Sequence, residues 1–462
     1  MDQGGDGGGG RLTPILMNTP TQQNLEWALS SFQEWEKGMN GVSHTEFHGI
    51  RRAALKTFTE KGFPTTRQEE WRFTNVQPIA STPFVPVLRY DPQGIRRSDI
   101  DRFLFPGLNG SRLVFINGHY APEYSDLSSM TRGVRVQSLA EALRQDPAFV
   151  LRHLGRLVKI EDPFTALNTA FVQDGAFLYV PDGVDVPEAI HLLFLSAGTD
   201  APTLQTPRNL ILAGEESRLS IVETYYTLGA GTHLTNVVTE VFAGARAVIE
   251  HDKMQDENSR AFHVGTTQIQ QQAGSTVTSN AVTLGGALVR NNVAVVLAGE
   301  GCEATLNGLS VGTAAQLIDN HTIIDHAMPN CVSHELYKAI QDGHSRGVFN
   351  GKIFVRKDAQ KTDAKQTNKT LLLSDDAMMD TKPQLEIFAD DVKCTHGATV
   401  GQLEENQLFY LRSRGIPLEA ARDILTFAFA SDVIHRVHVG PLREQLDAML
   451  RARLREGRVT GA

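Results

Sequence analysis

The feature that most constrains this chain is a stretch of more than 200 residues, from about Thr165 to Val400, in which helical periodicity largely disappears. Short runs rich in Val, Ile, Thr and Leu are punctuated there by Gly, Asn and Asp, a texture that reads as strands. Representative runs are Asn209 to Leu212, Asn236 to Phe242, Ser275 to Leu284, Asn292 to Leu297 and Thr322 to Ile324. A weak echo, Ala213-Gly214, Ala243-Gly244, Ala273-Gly274 and Ala298-Gly299, recurs at roughly 30 residues, in the range of solenoid repeats. A sandwich or barrel would also supply many short strands. Within the stretch, however, the only Asn-Gly hairpin signals are Asn307-Gly308 and Asn350-Gly351, so the pattern favours a parallel β-helix. If each coil takes about 15 residues and stacked strands lie about 4.8 Å apart, the solenoid is about 70 Å long. Its exposed ends then need capping.

Helical signals flank this core. Thr19-Pro20-Thr21-Gln22 reads as a capping box ahead of Leu25, Ala28, Leu29, Phe32 and Trp35, and Ser43 with Glu46 opens a second helix that stops at Gly62. Arg112 to Ile116 is strand-like and Leu139 to Leu154 helical. At the other end Glu404 to Ser413 closes at Arg414-Gly415, and Pro417 and Pro441 open two further helices. The predicted organisation is a disordered Gly-rich tail over 1–18, a mixed helical domain over 19–164, a parallel β-helix over 165–402 and a helical domain over 403–462. Ile424, Leu425, Phe427 and Phe429 exceed what one buried stripe needs. They serve either burial against the solenoid end or docking of a partner.

Bulk properties exclude several functions. A net charge of -9 argues against nucleic-acid or anionic-membrane binding, which draws on clustered Lys and Arg. The sequence has no export signal and no run of the roughly 18 apolar residues that cross a membrane, so a cytoplasmic protein is expected. Gly351-Lys352 is followed by Ile353 and belongs to no phosphate-binding loop, and GxSxG and HExxH motifs are absent. The chain is therefore not expected to be an enzyme. A polysaccharide lyase built on a β-helix is the main rival, and such proteins are usually exported.

Cys302, Cys331 and Cys394 stand far apart with no CxxC pair, so local sequence assembles neither a disulfide framework nor a self-contained metal site. Cys394-Thr395-His396 is the most informative segment, because residues i and i+2 of a strand share a side and could meet one metal. A tetrahedral or cluster site wants about four ligands. A metal here needs ligands from another subunit; otherwise Cys394 is an inert core thiol and His396 a surface hydrogen-bonder. A second group, Asp319, His321, Asp325, His326, Cys331 and His334, is rich in ligand types but poorly spaced. The basic run Lys352, Arg356, Lys357, Lys361, Lys365 and Lys369 reads as a solvated face.

Three segments resemble the SufB/SufD family: Ser345 through Lys352, Ala364 through Lys369, and Asp391 through Gly401. The likeness continues through Phe409-Tyr410-Leu411-Arg412-Ser413-Arg414-Gly415, and Arg67-Gln68-Glu69-Glu70-Trp71-Arg72-Phe73-Thr74-Asn75 is similar to the SufD side of the family. The resemblance implies a right-handed parallel β-helix that pairs with SufB and binds the ABC-type ATPase SufC through the C-terminal helices, acting as a scaffold in building iron–sulfur clusters. It implies that His396 helps hold iron or a nascent cluster at the shared interface, with Cys394 as a second candidate, and that reduced flavin acts at the level of the complex. A subunit that only stabilises SufB is the remaining alternative.

Overall fold

A computed structural model describes residues 25–39, 45–92 and 94–456. The tail 1–18, the Thr19–Gln22 capping box and Ser43 lie outside the described residues.

Two sheets, of eleven and ten strands, dominate the molecule. From Arg208–Ala213 onward successive strands alternate between the sheets, so each strand pairs in parallel with the strand two places later. Antiparallel pairs among the described residues occur only near the first coil, where Arg112–Ile116 meets His119–Tyr120 and Arg135–Ser138 meets Ala176–Val180. The register defines columns of stacked side chains. Val241, Ile269, Val295, Ile324, Ile353 and Leu385 pair in succession, 26 to 32 positions apart. The first five are buried in the lumen between the sheets.

This is the expected parallel solenoid, with one correction to its dimensions. A coil contains two strands and about 29 residues rather than 15, so about eight turns at about 4.8 Å give a stack about 40 Å long, not 70 Å. The Ala-Gly echo marks one corner per coil. There the backbones crowd: a Cβ on Gly299 would lie 2.0 Å from the Ala273 nitrogen of the coil below. The two Asn-Gly pairs turn no hairpin. Both lie in mid-strand, within Glu303–Gly312 and Arg346–Val355. Gly308 is small because the Tyr337 ring lies over it, 2.2 Å from where a Cβ would stand.

Helices cover both outer faces. On the first sheet, helices Glu26–Lys37, Glu46–Lys61 and Pro163–Phe171 bury Phe32, Phe58, Phe164 and Phe171 against Leu204, Leu234, Val264 and Leu288. Residues 165–171, expected within the strand-rich stretch, are thus helical, and the next strand after them starts at Ala176. The second helix is capped by Thr45, whose hydroxyl accepts from the His48 amide, and ends at Gly62 with φ 66°. The helix expected over 139–154 is two, Leu139–Gln145 and Pro147–His153. Pro147 lacks the amide needed to continue the first, and Asp146 caps the second.

On the second sheet, helices Glu405–Ser413, Leu418–Ile434 and Gly440–Glu456 follow the last strand. Ala430, Val433, Ile434, Leu442, Leu446 and Leu450 pack on Met254, Val282, Leu309 and Ile340. Their apolar stripe therefore covers a flank of the solenoid and leaves its end bare.

Candidate functional site at the open end

The last two strands, Met378–Ile387 and Lys393–Gly401, are the edges of the two sheets. Each pairs on one side only, and no residue of Lys393–Gly401 is buried. Met378, Ile387, Phe388 and Val400 are exposed apolar side chains around this edge. An unpaired strand edge is a template for another chain, which proteins normally blunt unless a partner covers it.

Cys394 and His396 lie on this edge. Cys394 stacks on Ala364 and packs with Ile353, Val355 and Ala389 on the lumen side, and burial pushes its thiol pKa up. His396 stacks on Gln366 two positions later and therefore shares that side. The column beneath it runs His251, Ser279, Leu306, Glu335, Gln366, all buried. His396 occupies the next place in an interior column and is exposed because no coil stacks on it. Below it, the Gln366 amide donates to Glu335 at 2.7 Å, and burial raises the Glu335 carboxyl to about 7. An imidazole on top of such a column, beside a half-buried thiol, can offer one or two ligands to a metal but not a closed set. Among the described residues no three potential ligands converge.

The second ligand-rich group does not assemble. Asp319 accepts from Arg290 at 2.7 Å, and His321 lies between Asp319 at 3.1 Å and Glu70 at 3.5 Å. Asp325 pairs with Arg356, and His326 points into the lumen, bonded to Ser333 and held near 4 by burial. In the basic run Lys352 pairs with Glu386, Lys361 with Asp391 and Lys365 with Asp363. The Arg67–Asn75 segment is a clamp on the first sheet. Trp71 is buried against Phe164 with the Arg290 guanidinium 4.1 Å from its ring, and Arg290 donates to the Glu70 carbonyl.

On the C-terminal helices Ile424 is exposed, while Leu425, Phe427 and Phe429 are half-buried. Phe429 receives the Lys338 ammonium at 4.6 Å and Phe427 lies under the Arg451 guanidinium at 3.7 Å. The larger exposed aromatics are on the preceding helix: Phe409 is 75% and Tyr410 55% exposed, and Glu405–Ser413 buries no residue. Helical periodicity could have marked them, since a helix with no buried stripe must find its partner elsewhere. Sequence reasoning also missed a buried polar knot in the lumen, where Lys253 meets His263 at 3.0 Å and Glu257 joins His263 and His233. Its signal was charged and polar residues at alternate strand positions.

Comparison with known proteins is consistent across the chain. Residues 194–429 match the family described as SUF system FeS cluster assembly, SufBD core domain, and residues 23–192 match the SufBD protein N-terminal region. The chain is 31% identical to an iron–sulfur cluster assembly SufBD family protein of Synechocystis, covering 94% of this chain and 97% of the relative. It is 31% identical to the Escherichia coli iron–sulfur cluster assembly protein SufD, over 87% and 92% of the two chains. It is 25% identical to the Bacillus subtilis SufD, over 92% and 99%.

Proposed function

This chain belongs to the SufBD family of iron–sulfur cluster assembly proteins, and on that premise we propose that it is the SufD-type scaffold subunit of a cytoplasmic Suf complex. In this reading it is a non-catalytic partner. It pairs with a SufB-like subunit across the open end of its solenoid and docks a SufC-type ATPase on its C-terminal helices. Iron and the nascent cluster are cargo at the shared interface, with reduced flavin acting at the level of the complex.

The observation that carries the reading is the place of His396: an interior position left uncovered on an unpaired edge. A second edge laid on Lys393–Gly401 would satisfy its free backbone groups and enclose the imidazole. His396 would then supply one nitrogen ligand, Cys394 a candidate thiolate, and the partner the rest. The bare helix carrying Phe409 and Tyr410, together with Ile424 and Phe427, supports ATPase docking, and Leu425 and Phe429 support that surface from beneath.

The test is co-purification of the chain with a SufB-like subunit and a SufC-type ATPase, followed by anaerobic iron and sulfide analysis of wild-type and His396→Ala complexes. The complex is expected to assemble equally in both, with cluster formation severely reduced in the variant. Normal cluster formation by a fully assembled His396→Ala complex would reduce the chain to a stabilising partner.

A further inference from the structure

The coil period brings together two cysteines that stand 29 positions apart. Glu303 pairs with Val332, and the Val332 amide donates to the Cys302 carbonyl at 2.9 Å, so Cys302 and Cys331 are stacked neighbours at one inner corner. Both are buried within the main lumen cluster. Their sulfurs converge: Cys302 Sγ lies 3.1 Å and Cys331 Sγ 3.3 Å from the same Gly299 carbonyl oxygen. The other polar neighbours of Cys302 Sγ are the Gln272 carbonyl at 3.1 Å, the Gln271 carbonyl at 3.8 Å and the Ser275 hydroxyl at 3.8 Å; Cys331 Sγ also reaches the Pro329 carbonyl at 3.5 Å.

We propose that Cys302 and Cys331 form a two-coordinate site for a soft monovalent metal ion, Cu(I) being the biological representative, inside the solenoid and two coils in from its open end. Stacked strands repeat at about 4.8 Å, and two metal–sulfur bonds of about 2.3 Å laid end to end span about 4.6 Å. The two sulfurs, turned toward one carbonyl oxygen from adjacent coils, are thus within reach of a single bridging ion. Soft thiolate ligands select Cu(I), whereas zinc asks for four ligands that this corner does not have. Iron cargo at the open end and a soft ion at this corner would therefore occupy separate places.

The test uses Ag(I), a redox-silent stand-in, on the full chain carrying Cys394→Ser to remove the half-buried thiol. Titration under anaerobic conditions against a competing thioether chelator should leave one equivalent bound, with X-ray absorption at silver showing two sulfur neighbours. Cys302→Ser and Cys331→Ser, each in that background, should lose the retained equivalent. Serine already occupies this column at Ser275 one coil below, so the variants are expected to fold, and circular dichroism melts check that they do. Failure of the Cys394→Ser chain to retain silver, retention undiminished in either single variant, or an absorption spectrum without two sulfurs would each overturn the site.

Discussion

Arg208 and Glu240, on neighbouring coils of the first sheet, form a buried ion pair at 2.7 Å whose side chains are 3% and 0% exposed. Glu240 also accepts from the Gly155 and Leu157 amides, and Arg208 donates to Asn168 and Thr169. The pair thereby pins the loop after the Pro147–His153 helix, and the Pro163–Phe171 helix, to the solenoid. Removing one partner of a buried pair strands the other charge. Glu240→Gln should cost about 3–5 kcal/mol in urea unfolding, and a paired replacement by apolar residues considerably less. A loss below about 1 kcal/mol would mean that water reaches Arg208.

The two surfaces of the C-terminal helices should separate in mutagenesis. Phe409→Ala with Tyr410→Ala should change stability by less than about 0.5 kcal/mol, because neither side chain is buried, yet weaken capture of a SufC-type ATPase. Leu446→Ala, at 2% exposure under the same helices, should cost about 2–5 kcal/mol. Pull-down and thermal melts on the same preparations distinguish the two outcomes, and full ATPase capture by the double variant removes this surface from the interface.

Asp252 gives a pH dependence of defined sign. It lies on the outer face of the second sheet beneath the C-terminal helices, where Asn280 donates to one oxygen and the other has no hydrogen-bond partner. Burial, reinforced by Glu250, raises its carboxyl to about 8. A folded-state pKa above the unfolded value favours the protonated form. The group's contribution is therefore full below the ordinary carboxylate range and is lost as pH rises toward 8. Relative to Asp252→Asn, the wild type should lose about 1 kcal/mol per pH unit between pH 5 and 7.5. Parallel stability curves for the two proteins would show that Asp252 ionises freely.

Gly308→Ala tests the stacking of coils. A methyl there would stand inside the Tyr337 ring, so the substitution should cost about 1–3 kcal/mol, and Tyr337→Leu in the same chain should restore part of it. Additive costs in the double variant would place the clash elsewhere.

Gly308 also shows where the sequence was legible and where it was not. The strand runs and the Ala-Gly echo reported the solenoid because they are written into every coil: inward positions must be apolar or paired, and corners must be small. The length of a coil was misread because the echo counts one corner per turn, while the strand pattern counts two faces. Asn307-Gly308 read as a turn because a local signal cannot reveal that the missing side chain makes room for an aromatic ring one coil away. The juxtaposition of Cys302 with Cys331 was hidden for the same reason, being a product of register rather than of spacing. Cys394 and His396 were legible as a pair because alternation along a single strand is local. Their standing at an uncovered place in an interior column depends on where stacking stops. Phe409 and Tyr410 were present in the family-like segment, but only the packed helices show which aromatics remain outside.

The bare last coil has a thermodynamic consequence. In a stack where each turn contacts only its neighbours, cohesion is a sum over adjacent pairs, and the final turn has one neighbour where the others have two. Local opening should therefore be cheapest at Lys393–Gly401 and dearer with each turn inward, so native-state amide exchange should be graded along the solenoid axis. Cys394 and His396 thus sit on the loosest rung of an otherwise rigid ladder, and a chain that adds the next rung would order these two side chains in the act of binding.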